Sequence, residues 1–269
     1  MRESHFSGDV LAQRLLLLLL AFEYLAFIFS GVSFSSLHGD PFYSIRVDPL
    51  YWFFYALNIP QFIIAHQWVG IGADIFVMLL VCLLIKKPSN QKIVWLLLPL
   101  MILFYVTLTG YHTHRNFQTG FFLVLLPFAF KAVQSRQLAY NALRYFLLFF
   151  YFSSAVLKLS SSSIFDADHF STILQQQFVP YYLEGNTGWR TSINSYLINH
   201  STLAYALFLM GLIIEGSTIT GFFTKKSDRF LGVMLICFHL VNWVLMDIAP
   251  LGQLSFICLL FVGRVFNKQ

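Results

Sequence analysis

Charge is scarce in this sequence. Only 11% of its 269 residues are Asp, Glu, Lys or Arg, against about 25% in a soluble domain. That shortage excludes a water-facing globular surface over most of the chain. Cysteine is scarce too: Cys82, Cys237 and Cys258 all lie in apolar stretches. An odd number in such segments is not a disulfide framework, and no CxxC or Cys/His spacing offers a zinc site. The net charge of +5 comes without a basic patch interleaved with aromatics, so no nucleic-acid partner is expected.

Apolar residues are what the chain has in excess. They make up 58% of it, with 31 phenylalanines and a mean hydropathy of +0.69. So little charge over so many apolar runs describes an integral membrane protein with the lipid bilayer as its solvent. The start, "MRESHFSGDVLAQRLLLLLLAFEYLAF", has the charged lead and leucine run of a signal peptide. Its apolar run continues to about Phe34, beyond the ~7–15 residues of a signal core, so an uncleaved first helix is expected.

A membrane helix needs about 20 mainly apolar residues. Eight segments qualify, at about 14–34, 68–86, 93–109, 117–134, 139–159, 203–223, 229–247 and 249–266. The expected fold is therefore all-α, a polytopic helix bundle with about eight transmembrane helices. The segment 49–65, "PLYWFFYALNIPQFIIA", is short, interrupted by Pro60 and rich in Trp and Tyr, so it reads as re-entrant or interfacial. With the N-terminus inside, thirteen of the 17 basic residues fall on the inner side and only Arg46, Arg115, Lys158 and Arg190 on the outer side. This is the bias of cytoplasmic N- and C-termini, and the expected location is a bacterial inner membrane rather than the endoplasmic reticulum.

The outer loop 160–202 is long and polar. In "SIFDADHFSTILQQQF", Phe170, Ile173, Leu174 and Phe178 recur at helical spacing after possible caps at Asp166 or Asp168, which predicts a helix lying on the surface or capping a cavity. "VPYYLEGNTGWR" follows, with Tyr and Trp of the membrane-interface type. Loops this long are often functional, and docking of a protein partner is one role for it.

Ionisable residues inside a bilayer are costly and usually face a cavity or one another. The topology places His112 and His114 at the outer mouth of the fourth span and Lys158 at the outer end of the fifth. His239 falls just outward of the midplane in the seventh, with Asn242 one turn nearer the exit. Asp74 lies about two turns in from the outer face of the second, and Glu215 near or inward of the midplane of the sixth. Glu23, in the first, stands alone. His114, Lys158, His239, Asn242 and Asp74 can thus converge on the outer half of the bundle, His239 and Asn242 sharing a helix face at i, i+3. Each also has a plain structural reading. Lys158 can snorkel to headgroups, His239 can make a core hydrogen bond, Asp74 can be a counter-ion, and Glu215 can pair with a neighbouring helix or the basic turn at Lys225 and Lys226. The chemical reading is proton transfer: a lysine beside a low-dielectric cavity is pushed toward its neutral form and can act as a base. A histidine would hold an oxygen of an apolar ring compound such as a quinol.

Three stretches, in order, resemble a known family. "HTHRNFQTGFFLVLLPFA" is similar to an Asn-His-x-Tyr-Leu run entering an apolar helix that ends near Pro, with His114 at the histidine and Thr113 where Asn is usual. "YFSSAVLKLSSSSIFDADHFS" is similar to Tyr-Phe-x-Ala-Gly-x-x-Lys-Leu, with Lys158 at the lysine and Ala155-Val156 as a shifted small-residue pair. "IIEGSTITGFFTKKSDRFLGVMLICFHLVNWVLMDIAPLGQLSFI" is similar to an acidic residue, a basic turn, Phe-His-x-x-Asn and an interrupted helix, matched by Glu215, His239 and Asn242. Together these resemble the membrane domain shared by the vitamin K-dependent gamma-carboxylase and the bacterial HTTM proteins. The resemblance implies a single domain over 1–269 and a reduced quinone as cofactor. Lys158 would be the base, with His114 beside it, and His239, Asn242, Asp74 and Glu215 would bind the substrate. It implies a quinol-dependent epoxidase-type or carboxylase-like enzyme with an outer-facing cavity. The carboxylase's β-rich domain has no counterpart before Gln269, so carboxylation of a peptide is not expected. Two other classes stay open: a b-type haem electron carrier with His114 and His239 as axial ligands, and a non-catalytic scaffold or accessory subunit.

Overall fold

The computed structural model describes residues 3–37, 49–88, 90–111, 120–183, 185, 188–248 and 252–266. Every regular element among them is helical. Six helical stretches are long and apolar enough to cross a membrane: Gln13–Ser36, Gln67–Lys86, Gln91–Leu108, Val133–Ser160, Ser201–Phe223 and Asp228–Met246. The protein is a multi-pass, all-helical membrane protein.

The chain forms two compact units, one of residues 1–143 with 251–269 and one of residues 144–250. The first unit holds α1 (Glu3–Phe29), α2 (Pro49–Ala56), α3 (Ile59–Ala65), α4 (Gln67–Lys86), α5 (Gln91–Tyr111), α6 (Gly120–Leu123) and α13 (Leu254–Phe266). The long helix α7 (Val133–Ser160) starts in it. Helix α1 packs on α4 and α13. Phe104 of α5 meets Tyr24, Phe27 and Phe34 edge-on, at ring-centroid distances of 5.3, 5.7 and 5.1 Å, the geometry that aromatic quadrupoles favour. A short 3-10 helix, Phe34–Ser36, lies on α4 at Gly70. A Cβ there would sit 2.5 Å from the Phe34 carbonyl oxygen, a contact that only backbone movement can relieve. Gly70→Ala is therefore expected to cost about 1–3 kcal/mol as overpacking, seen as a lower unfolding midpoint in detergent.

Two of the eight expected spans take other forms. The segment 117–134 is not one helix among its described residues. Helix α6 stops at Leu123, and a 3-10 helix, Leu126–Ala129, follows. Pro127 explains the break, because its ring clashes with the carbonyl four residues back, that of Leu123, and it has no N–H to give. Helix α13 has 13 residues, about 20 Å at 1.5 Å per residue, shorter than a ~30 Å hydrocarbon core. The segment 49–65 is two short helices, α2 and α3, parted at Asn58, which takes the left-handed conformation at φ 55°. Asn tolerates that conformation better than most residues.

The second unit contains the rest of α7 with α8 (His169–Leu183), α9 (Trp189–Asn199), α10 (Ser201–Ser217), α11 (Thr220–Phe223) and α12 (Asp228–Met246). Helices α8 and α9 form a hairpin that packs on α10 and α12 through Phe170, Leu174, Leu197, Ala204 and Leu245. The expected surface helix of the 160–202 loop is thus a pair. Arg144 fastens α7 to the turn before α12. Its Nε and Nη2 donate to the two carboxylate oxygens of Asp228 at 2.8 and 2.6 Å, and Nη2 also donates to the carbonyls of Gly221 and Thr224 at 2.5 and 3.3 Å.

Candidate functional site

Four residues of α7 follow the i, i+3, i+4, i+7 pattern: Tyr151, Ser154, Ala155 and Lys158. On a helix that spacing makes a single stripe, and here it faces α10 and α12. Lys158 Nζ donates to Glu215 Oε2 of α10 at 2.6 Å, and Ser154 Oγ donates to Oε1 at 3.2 Å. Both oxygens of this nearly buried carboxylate are therefore engaged, and a Cβ at the neighbouring Gly216 would meet that of Ala155 at 3.9 Å. The Lys158 ammonium also stands 5.9 Å from the centre of the Phe238 ring, and Phe238 reaches that place because Gly211 of α10 leaves room for it. The plain reading of Lys158 as a headgroup anchor is thus replaced by an ion pair inside the helix bundle. Of the two partners expected for Glu215, the neighbouring helix is the one found.

One turn before Ser154, the Tyr151 hydroxyl and His239 Nε2 are 2.5 Å apart, both buried. The polar groups of α7, α10 and α12 form a seam: Lys158 and Ser154 on Glu215, and Tyr151 on His239. Asn242 sits one turn beyond His239 on α12 and is half-buried.

A second stripe on α7 opens outward. Phe150, Ser153, Ser154, Leu157, Lys158 and Ser161 line a cleft of about 430 Å³. Ser154 and Lys158 belong to both stripes, so they separate the cleft from the buried carboxylate. Leu157 is 69% exposed and Phe150 is 37% exposed. On a membrane-spanning helix, residues so exposed and apolar suit contact with lipid. Lys158 has three donors, one of which serves Glu215, leaving two for a ligand. The Ser161 hydroxyl donates to the carbonyl of Lys158; that of Ser153 donates to the carbonyl of Phe150 and can still accept.

The remaining expected site residues do different work. Asp74 is a capping group of the first unit. It accepts from the Tyr24 hydroxyl at 2.7 Å and from the backbone N–H groups of Phe34 and Ser35 at 3.2 and 3.0 Å, holding the 3-10 helix on α4. Glu23 is not alone: it accepts the Ser255 N–H at 2.9 Å, an acidic group at the start of α13, where the helix dipole favours it. His112, His114, Arg115 and Arg46 lie outside the described residues. His239 Nε2 is engaged by Tyr151, and His114, the other histidine of the expected haem pair, is among the residues not described. Sequence reasoning passed over Tyr151, Ser154 and the Arg144–Asp228 pair. The signal for the first two was their spacing of seven and four residues before Lys158.

No protein-family model, curated protein or solved structure matches the chain.

Proposed function

We propose that the chain is an HTTM-type membrane enzyme that handles a quinol at the α7 cleft. Its membrane crossings would leave both termini in the cytoplasm of a bacterium and the cleft within the inner membrane. The observation that carries the proposal is the Lys158–Glu215 pair at the border of a cleft with exposed apolar walls. The lining suits an aromatic ring bearing two oxygens. Phe150 and Leu157 supply apolar walls, Lys158 supplies donors, and Ser153 supplies an acceptor. Nothing in the lining carries an unpaired charge, which suits an uncharged ligand arriving through the bilayer.

Lys158 meets the cleft as an ammonium. A proton passing from Nζ to Glu215 Oε2 along their 2.6 Å hydrogen bond leaves a neutral amine at the cleft and a neutral acid behind it. The amine then takes a proton at Nζ from the ligand's hydroxyl. Glu215 thus makes Lys158 a base without a charge being abandoned in the bilayer, and Ser154 holds the carboxyl in place. Tyr151, fixed by His239, closes the seam from within. When bound, the quinol supplies the reducing electrons that, with dioxygen, give quinone epoxide and water. Purified protein in lipid nanodiscs, given a reduced naphthoquinone and air, is expected to form the epoxide, and Lys158→Ala to form none. No epoxide from the wild-type protein with any naphtho- or benzoquinol would overturn the enzymatic reading.

A further inference from the structure

We infer that the α8–α9 hairpin is seated in the lipid headgroup layer, with an aromatic stripe of α9 dipping into the membrane interface. Helix α9 has two distinct faces. Thr191, Asn194 and Leu197 are buried against its neighbours. Trp189, Ile193 and Tyr196 are exposed, and their spacing of four and three residues puts them in one narrow stripe. Trp189, at 60%, is the most open of them. The last turns of α8 continue the patch with exposed Val179, Tyr182 and Leu183. The Tyr182 hydroxyl and Ser195 Oγ, 3.0 Å apart, tie the two parts together.

Charge and chain path select lipid over water as the partner. From His169 to Asn199 the only charged residues are Glu184 and Arg190, whereas about a quarter of residues are charged in a soluble domain. Arg190 is paired: it meets Asp247 at the end of α12 and lies 5.3 and 5.2 Å from the ring centres of Trp189 and Trp243. Asp247 also accepts from the Tyr181 hydroxyl at 2.5 Å. The one described cation of the hairpin is thus engaged in holding α8, α9 and α12 together, and no stripe residue carries a charge of its own. The hairpin hangs between two membrane spans, and only His200 separates α9 from α10. Its neighbour α10 begins with an exposed apolar residue of its own, Leu203. Trp and Tyr, apolar rings with one polar tip, are the side chains that settle at headgroup depth.

Quenching of tryptophan fluorescence in nanodiscs tests this. The wild-type protein and Trp189→Phe are compared in lipids brominated either high on the acyl chain or near its end, and with aqueous iodide. The emission lost on substituting Trp189 is expected to be quenched at least about twofold more by the shallow bromine than by the deep one, and to be shielded from iodide. Emission that iodide quenches fully and neither bromolipid affects would overturn the inference and point to water or a protein partner at this face. If Trp189→Phe does not fold, Tyr196→Trp adds a reporter on the same stripe, with the same expected and overturning results.

Discussion

Arg144→Ala and Asp228→Ala are each expected to destabilise the protein by about 3–5 kcal/mol, the range for removing one member of a buried ion pair. Both side chains are almost wholly buried, and the guanidinium meets the carboxylate through two parallel bonds. Either truncation takes the bidentate partner from a charge held in a low-dielectric setting. The double replacement Arg144→Met with Asp228→Leu should recover much of the loss, because matched apolar groups often replace a buried pair at little cost. Recovery should be incomplete, since Arg144 also serves the carbonyls of Gly221 and Thr224. Denaturant titration in mixed micelles gives the four free energies. Single losses below about 1 kcal/mol, the level of an exposed pair, would show that Arg144 does not fasten α7 to the start of α12.

The second large effect is unequal by design of the pair. Lys158→Met should cost about 2.5–3.5 kcal/mol, the insertion penalty of a lone charge in a membrane helix. Glu215→Gln should cost clearly less. The difference comes from reach. Glu215 has a side chain only 5% exposed against 36% for Lys158, so an orphaned carboxylate has nowhere to go. An orphaned ammonium can swing outward on its four-carbon stem. A double-mutant cycle with Lys158→Met and Glu215→Gln should return a coupling above about 1 kcal/mol. Equal costs for the two single changes would mean that Lys158 is already free at the surface.

Much of the fold can be read from the chain because membrane spans are long and their ends carry chemistry. The expected 68–86 and 229–247 became Gln67–Lys86 and Asp228–Met246, each bounded by charge. Pro127 was visible, yet an apolar composition does not say whether a proline kinks a helix or divides it. Depth arguments did less well. They put Lys158 at one end of its span and Glu215 near or inward of the midplane, whereas the two side chains touch. A helical side chain leans toward the N-terminus of its own helix, so a long lysine reaches down to a carboxylate whose Cα lies at another level. Arg144 served only as a marker of sidedness, because its partner lies 84 residues away and no local pattern joins them. Asp74 drew notice as an intramembrane acid, but its use as a cap depends on where the chain turns back at Phe34.

The central claim is that Lys158, backed by Glu215, holds a quinol oxygen in the α7 cleft. Equilibrium binding of a reduced naphthoquinone to the protein in nanodiscs, under anaerobic conditions that prevent turnover, tests it most directly. Binding is expected to be saturable, to weaken at least about tenfold in Lys158→Met, a loss of about 1.4 kcal/mol, and to be unchanged in Lys92→Gln, a substitution at an exposed residue of the first unit. Equal affinity in the wild-type protein and Lys158→Met, with both proteins folded, would contradict it.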